Sequence, residues 1–235
     1  MRKIGLIGGT SWESTAIYYR LLNEAVRQRR GGFHSARLVL ASVDFAQYEA
    51  WMRQGNWQAL ADALTEEAYL LHRAGAQAIV LCTNTMHKVA GHIRNAVQIP
   101  FLDIRDVTGQ AIVGSGYKRP LLLGTRYTMA DDFFTAHLET AFGLVPVVPS
   151  EPDQARINSI IFDELVAGLV QPTSRAAYVD IVARAQAAGA DSVIFGCTEI
   201  GMLLRAQDVA LPIFDTMQLH VDAALEFALS PLHTL

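Results

Sequence analysis

The sequence predicts an α/β protein made of two homologous parallel-sheet α/β domains. The first sign is an internal repeat. Ala78–Ile79–Val80–Leu81–Cys82–Thr83–Asn84–Thr85 is matched by Ser192–Val193–Ile194–Phe195–Gly196–Cys197–Thr198–Glu199, and each stretch follows an Ala-Gly-Ala turn, Ala74–Gly75–Ala76 and Ala188–Gly189–Ala190. Two further pairs keep the same order and nearly the same separation: Gly9–Thr10 with Gly124–Thr125, and Ile99–Pro100–Phe101–Leu102–Asp103–Ile104 with Leu211–Pro212–Ile213–Phe214–Asp215–Thr216. The second sign is the alternation of short apolar runs with stretches of helical period, the pattern of a parallel sheet whose strands are joined by helices. Such sheets place ligands at the carboxyl ends of their strands. The expected organisation is a first domain of residues 1–104 with the C-terminal helix 216–235, a second of residues 105–215, and a ligand site in the cleft between them. Under the repeat Cys197 falls opposite Thr83, and Cys82 aligns with Gly196.

The opening run Lys3–Ile7 reads as a buried strand, followed by Gly8–Gly9–Thr10–Ser11. Trp12–Arg29 has helical apolar spacing, with Ser11 as its N-cap. The glycines lack GxGxxG spacing and no GK[ST] follows, which argues against a nucleotide. A carboxylate or other anion at the helix N-terminus, approached by the glycine-rich backbone, fits better. Arg37–Val43 is a second strand; Gln47 and Tyr48 follow in a short helix or loop. Asn56–Ala74 is a long helical pattern. The 78–82 strand comes next, then a helix opened by Thr83 and running to Asn95, then a short strand at 99–104. The second half restarts with a strand at 119–125, a helix over 126–142 and a strand at 145–148. Helical patterns cover 154–169 and 174–187, the 192–196 strand follows, and after the 211–216 strand a helix over 217–229 closes the chain.

Composition sets limits on function. The chain has 235 residues, 51% of them apolar, enough for one compact unit or two small domains. The net charge of −4 is scattered, and the absence of a basic run argues against nucleic acid. The apolar core of the N-terminus is too short for a signal peptide or a membrane span, so a cytoplasmic location is expected. The even count of two cysteines admits a disulfide, but a reducing compartment argues against one. Without CxxC or HxxxH spacing, no metal is expected.

GGTSWEST at the start, NTMH after the third strand, GTRYTM at 124–129, GCTE at 196–199 and PIFDT at 212–216 together resemble the aspartate/glutamate racemase family of cofactor-independent enzymes. The resemblance spans essentially the whole chain. It implies an active site in the cleft, amino-acid racemisation by two opposed acid/base groups, no pyridoxal phosphate or other cofactor, and a homodimer. In one respect the sequence departs from the family. Where most members read Cys-Asn-Thr, this chain reads Thr83–Asn84–Thr85, which places it in a subgroup with threonine for the first catalytic cysteine. Cys82 sits one position early, where strand alternation turns it into the core.

Racemisation removes the α-proton from one face and returns one to the other, so opposed groups serve it without moving. By family analogy Cys197 abstracts the proton of the L-enantiomer. Its place at a strand end before a helix suggests some thiolate at neutral pH. Thr83, a very weak acid, serves the opposite face directly or through an oriented water. Asn84, Thr85, Thr198, Thr125, Thr128 and Thr10 are candidates for holding the substrate carboxylate and the developing charge. Glu199 receives the substrate ammonium or tunes Cys197, and Gln47 is a candidate for the substrate side chain.

Structural readings stand beside these. Thr125 and Thr128 also suit helix capping, Glu199 suits a first-turn acid, and His87 suits a hydrogen-bonded histidine rather than a base. Asp103 and Asp215, matched by the repeat, suit a shared cap. Lysine occurs only at Lys3, Lys88 and Lys118; only Lys88 lies near the expected cleft, which argues against a Schiff base. Two other functions remain open: a single-cysteine decarboxylase or maleate-isomerase-type enzyme on the same scaffold, and a non-catalytic amino-acid or dicarboxylate binding module.

Overall fold

The computed structural model describes residues 1–231; the last positions of the expected 216–235 segment lie outside the described residues. The fold is α/β with two parallel sheets, as the alternation predicts. The chain divides into two compact units, Met1–Ile104 with the stretch from His220 onward, and Arg105–Leu219.

In the first unit β1 (Ile4–Gly8), β2 (Leu38–Ser42), β3 (Ala78–Leu81) and β4 (Phe101–Leu102) form a four-stranded sheet in the order β2-β1-β3-β4. All pairs are parallel, with Ile7 opposite both Ala41 and Leu81. Every residue of β1 and β3 is buried, which is why both read as unbroken apolar runs rather than alternating ones. The connections are α1 (Trp12–Arg30), α2 (Phe45–Arg53), α3 (Trp57–Arg73) and α4 (Ala90–Ala96). Ser11 caps α1, accepting the Ser14 N–H, and Asn56 caps α3, accepting the Ala59 N–H.

After α5 (Ile104–Gly114), the second unit forms a three-stranded parallel sheet from β5 (Pro120–Gly124), β6 (Ser192–Gly196) and β7 (Ile213–Asp215), with β6 central. Its helices are α6 (Arg126–Ala130), α7 (Asp132–Phe142), α8 (Glu151–Asp163), α9 (Pro172–Ala187) and the one-turn α10 (Ile200–Leu203). Leu121, Leu123, Val193 and Phe195 from the sheet pack with Ile157, Ile161, Tyr178 and Ile181 from α8 and α9. The last helix, α11 (Thr216–Leu229), starts directly after β7. Its later part is tied to β4 and α1: His220 Nε2 lies 2.6 Å from the Leu102 carbonyl and Nδ1 lies 3.0 Å from the Tyr18 hydroxyl.

Several local expectations need correction. The stretch expected as a strand at 145–148 makes a single bridge, Val147 with Leu121. Val147 donates to the Pro120 carbonyl and accepts from Leu122 N–H, but Pro146 and Pro149 have no N–H to continue a ladder. The helix expected over 126–142 breaks at Asp131, whose backbone is extended. The helix expected from Thr83 begins as a 3-10 turn over Thr85–Val89 before α4. α5 gave no clear periodic signal in the sequence.

Candidate active site

The repeat-matched residues follow the carboxyl ends of the strands in each unit. In the second unit, Gly124 and Gly196 are partners in the β5–β6 register, so Thr125 and Cys197 leave neighbouring strand ends. A Cβ on Gly124 would stand 3.1 Å from Thr128 Cβ; the glycine lets the first turn of α6 seat against the sheet. Thr125 caps that helix, its hydroxyl 3.4 Å from the Thr128 N–H and 3.2 Å from the Thr128 hydroxyl. Thr128 is fully buried.

Cys197 is partly exposed, seated beside the hydrophobic core of its unit. The turn Cys197–Thr198–Glu199 folds the Glu199 carboxylate back onto the two residues before it. The Cys197 thiol donates to Glu199 Oε2 at 3.0 Å, and the Thr198 hydroxyl donates to the same oxygen at 2.7 Å. This arrangement overturns the expected thiolate. Burial pushes the Cys197 thiol well above its ordinary range, and the facing Glu199 carboxylate pushes it further in the same direction. α10 begins three residues later and has only four residues, so its dipole offers little compensation. At rest the thiol holds its proton. Sequence reasoning did not single out Tyr178, which packs in the same core and whose phenol is pushed up chiefly by burial. Its helical spacing marks it only as a core residue.

In the first unit, Cys82 and Thr83 separate as strand alternation predicts. Cys82 is 1% exposed, against a partly exposed Thr83; burial alone drives the Cys82 thiol far up. Asn84 and Thr85 are buried beside Thr83. Below them His87 is fully buried, with Nδ1 2.7 Å from the Thr83 carbonyl and Nε2 accepting the Ile104 N–H at 3.2 Å. Thr10 is buried at the end of the β1 loop, and Gln47 is exposed on α2.

Gly9 has φ +93°, and a Cβ there would lie 2.2 Å from the Val43 carbonyl oxygen. The close approach at this glycine is to the neighbouring chain segment. The Gly9 N–H is taken by the Thr15 hydroxyl at 3.0 Å, which leaves a smaller anion-binding surface than the free loop would offer. Asp215 is a cap as expected, accepting the N–H groups of Met217 and Gln218. Asp103, directly before α5, pairs with Arg94 at 2.9 Å. Lys88 rests its ammonium 4.1 Å from the centre of the Trp57 ring.

The model of the Asp/Glu/hydantoin racemase family matches residues 7–224. The chain belongs to that family. Within it, the chain is 45% identical to a protein from Yersinia pestis assigned as an Asp/Glu racemase, with a TM-score of 0.93 over 98% of this chain and 100% of that one. An aspartate racemase homologue from Pyrococcus horikoshii is 33% identical, with a TM-score of 0.86 over 98% of this chain and 100% of that one. The glutamate racemase of Francisella tularensis, solved with D-glutamate, is 12% identical, with a TM-score of 0.67 over 100% of this chain and 84% of that one; it shares the fold. No described helix is long and apolar enough to cross a membrane.

Proposed function

We propose that this chain is an amino-acid racemase that works without pyridoxal phosphate or another cofactor on aspartate, glutamate or a related amino acid. The observation that carries the proposal is the pairing of a partly exposed thiol with a carboxylate at a strand end, Cys197 Sγ to Glu199 Oε2 at 3.0 Å. A carbon acid needs a base that is ionised only when it is used. A protonated thiol against a carboxylate acceptor supplies one: Glu199 takes the thiol proton, and Cys197 removes the α-proton of the L-amino acid. The S–H bond forms as the C–H bond breaks, and the electron pair passes into the substrate carboxylate. Thr83, or a water it orients, donates a proton to the opposite face of the α-carbon. Thr83 then regains a proton from solvent and Glu199 releases its own, which restores the starting state.

The short contact favours the tuning role of Glu199 over that of an ammonium receptor. A substrate ammonium arriving beside the pair would still offset the Glu199 charge and draw the thiol toward ionisation. Thr198, Thr125, Asn84, Thr85 and Thr10 are proposed to hold the substrate carboxylate, with Thr128 supporting Thr125 and Gln47 meeting the substrate side chain. A cytoplasmic homodimer is part of the same proposal.

The test is α-proton exchange followed by NMR in deuterated buffer, with no cofactor added, on L- and D-aspartate, glutamate and homoserine. Exchange with formation of the opposite enantiomer, lost in Cys197→Ala, is the expected result. A second reading draws on the burial of Cys82, which leaves Cys197 as the more accessible thiol of the two: single-cysteine decarboxylation of a malonate or isomerisation of maleate. Absence of exchange with turnover of either of those compounds would select it. Ligand binding that survives Cys197→Ser without any turnover would instead indicate a binding module.

A further inference from the structure

We propose that His87 is a positioning residue for Thr83, and that it decides whether a deprotonated substrate is inverted or merely reprotonated. The inference rests on the racemase reading and extends it to a residue outside the strand-end motif.

The imidazole is fully buried and its two nitrogens have opposite, fixed roles. The Ile104 N–H points at Nε2 from 3.2 Å, while the buried Asp103 carboxylate stands 4.0 Å away, outside hydrogen-bond reach, so Nε2 is the acceptor; the Thr83 carbonyl can only accept, so Nδ1 carries the proton. The ring is seated by Phe101, with centroids 5.5 Å apart, and meets the edge of His220 at 6.0 Å. His220 is itself fixed as the opposite tautomer: Nε2–H donates to Leu102, and Nδ1 accepts from Tyr18. The backbone of His87 adds a second tie, its N–H donating to the Asn84 carbonyl at 3.0 Å. Two successive carbonyls of the loop after β3 are thus held by one residue. A third tie closes the turn on the strand side, Thr83 N–H to Leu81 carbonyl at 2.8 Å.

The repeat shows that this brace is particular to the first unit. Under the alignment of Thr83 with Cys197, Thr85 corresponds to Glu199 and His87 corresponds to Gly201. In the second unit the reacting group is tuned through its side chain, by a carboxylate in contact with the thiol. In the first unit the equivalent position holds no carboxylate. Without such a carboxylate, the Thr83 hydroxyl depends on placement for its proton delivery, and placement is what the imidazole fixes. Misplacement by about 1 Å is enough to lower such a step roughly a hundredfold.

Asparagine and glutamine separate the two nitrogens. An Asn amide places a donor near the Nδ1 position, and a Gln amide reaches only the Nε2 position. The expected result is that His87→Gln keeps α-proton exchange on the L-amino acid while the yield of D-product per exchange event falls at least about tenfold. His87→Asn should recover most of that yield. The readout is the ratio of inversion to exchange in deuterated buffer, which a loss of stability alone would not move, with thermal unfolding recorded alongside. An unchanged ratio in His87→Gln would overturn the positioning role, as would equal loss of inversion in both variants. A wild-type protein that exchanges no amino acid would sink the racemase reading, and this assignment with it. Independently of either variant, nitrogen-15 NMR of the folded wild type should show His87 as the Nδ1–H tautomer; the Nε2–H tautomer would refute the geometry.

Discussion

The sulfur of Cys197 stands 3.0 Å from Oε2 of Glu199, two residues along the chain, and the thiol donates to the carboxylate. The thiol proton therefore lies between the two groups. The carboxylate disfavours thiolate while it is charged, yet it is also the nearest group able to receive the proton.

These two effects part company in Glu199→Gln. Removing the charge lowers the Cys197 pKa, because Glu199 is the second cause of its elevation after burial. More thiolate at neutral pH means faster alkylation by iodoacetamide. Racemisation loses its proton acceptor and should fall by roughly a hundredfold, the usual scale for a general base. Faster alkylation with slower turnover is the expected pair. Slower alkylation together with slower turnover would show that Glu199 promotes thiolate in the free protein instead.

Cys82 gives a control with the opposite character. It is 1% exposed, and burial alone pushes its thiol up. In the native protein it should resist labelling under conditions that modify Cys197. Cys82→Ala should leave the rate of proton exchange within about twofold of wild type and cost roughly 1 kcal/mol for the small lost volume. Mass spectrometry of the labelled protein, with denaturant melts, reads both.

The repeat was legible because both sheets end in small and polar residues after apolar runs, and burial on both faces leaves little else for those strands to be. The separation of Cys82 from Thr83 was legible for the same reason, as strand alternation. α5 was not. Ile104–Gly114 contains Val107, Thr108 and two glycines, all poor helix formers. Its Gly109 is packed against the Phe142 ring, where a Cβ would come within 2.3 Å. That contact, like those of Arg105 with the Phe133 carbonyl and of Asp106 with His137, is made far along the chain. The protonation of Cys197 was hidden in a different way. Sequence spacing places a glutamate two residues on, but only the turn shows that its carboxylate faces back onto the sulfur.

Thr83→Ala tests the second face. Enantiomers have equal free energy in achiral solvent, so kcat/KM for L-to-D and D-to-L conversion must fall by the same factor. α-Proton exchange on the L-enantiomer should persist, since Cys197 and Glu199 perform that step without Thr83. Polarimetry and exchange NMR on one sample give both quantities. Full racemisation in the variant would remove Thr83 from the mechanism.

His220 supplies a pH dependence of stability that has nothing to do with catalysis. It is fully buried, and burial lowers its pKa to about 4, against smaller opposing effects from the Leu102 carbonyl and the Asp103 charge. The unfolded chain titrates near the ordinary histidine value of about 6.5. Between these values the unfolded state binds the proton and the folded state does not, so stability rises with pH across that window. The contribution is fully present above the unfolded value and is lost as the pH falls toward about 4. A separation of about 2.5 units corresponds to roughly 3 kcal/mol at the acid end. Urea midpoints of the wild type and of His220→Gln, compared from about pH 7 to about pH 4, isolate this share from the carboxylates that titrate in both. The variant is expected to be less stable at neutral pH, where it loses the contacts with Tyr18 and Leu102, and the gap should narrow steadily on acidification. A gap independent of pH would mean that His220 is protonated as readily in the folded protein as in the unfolded chain, and that Tyr18 donates no hydrogen bond to it.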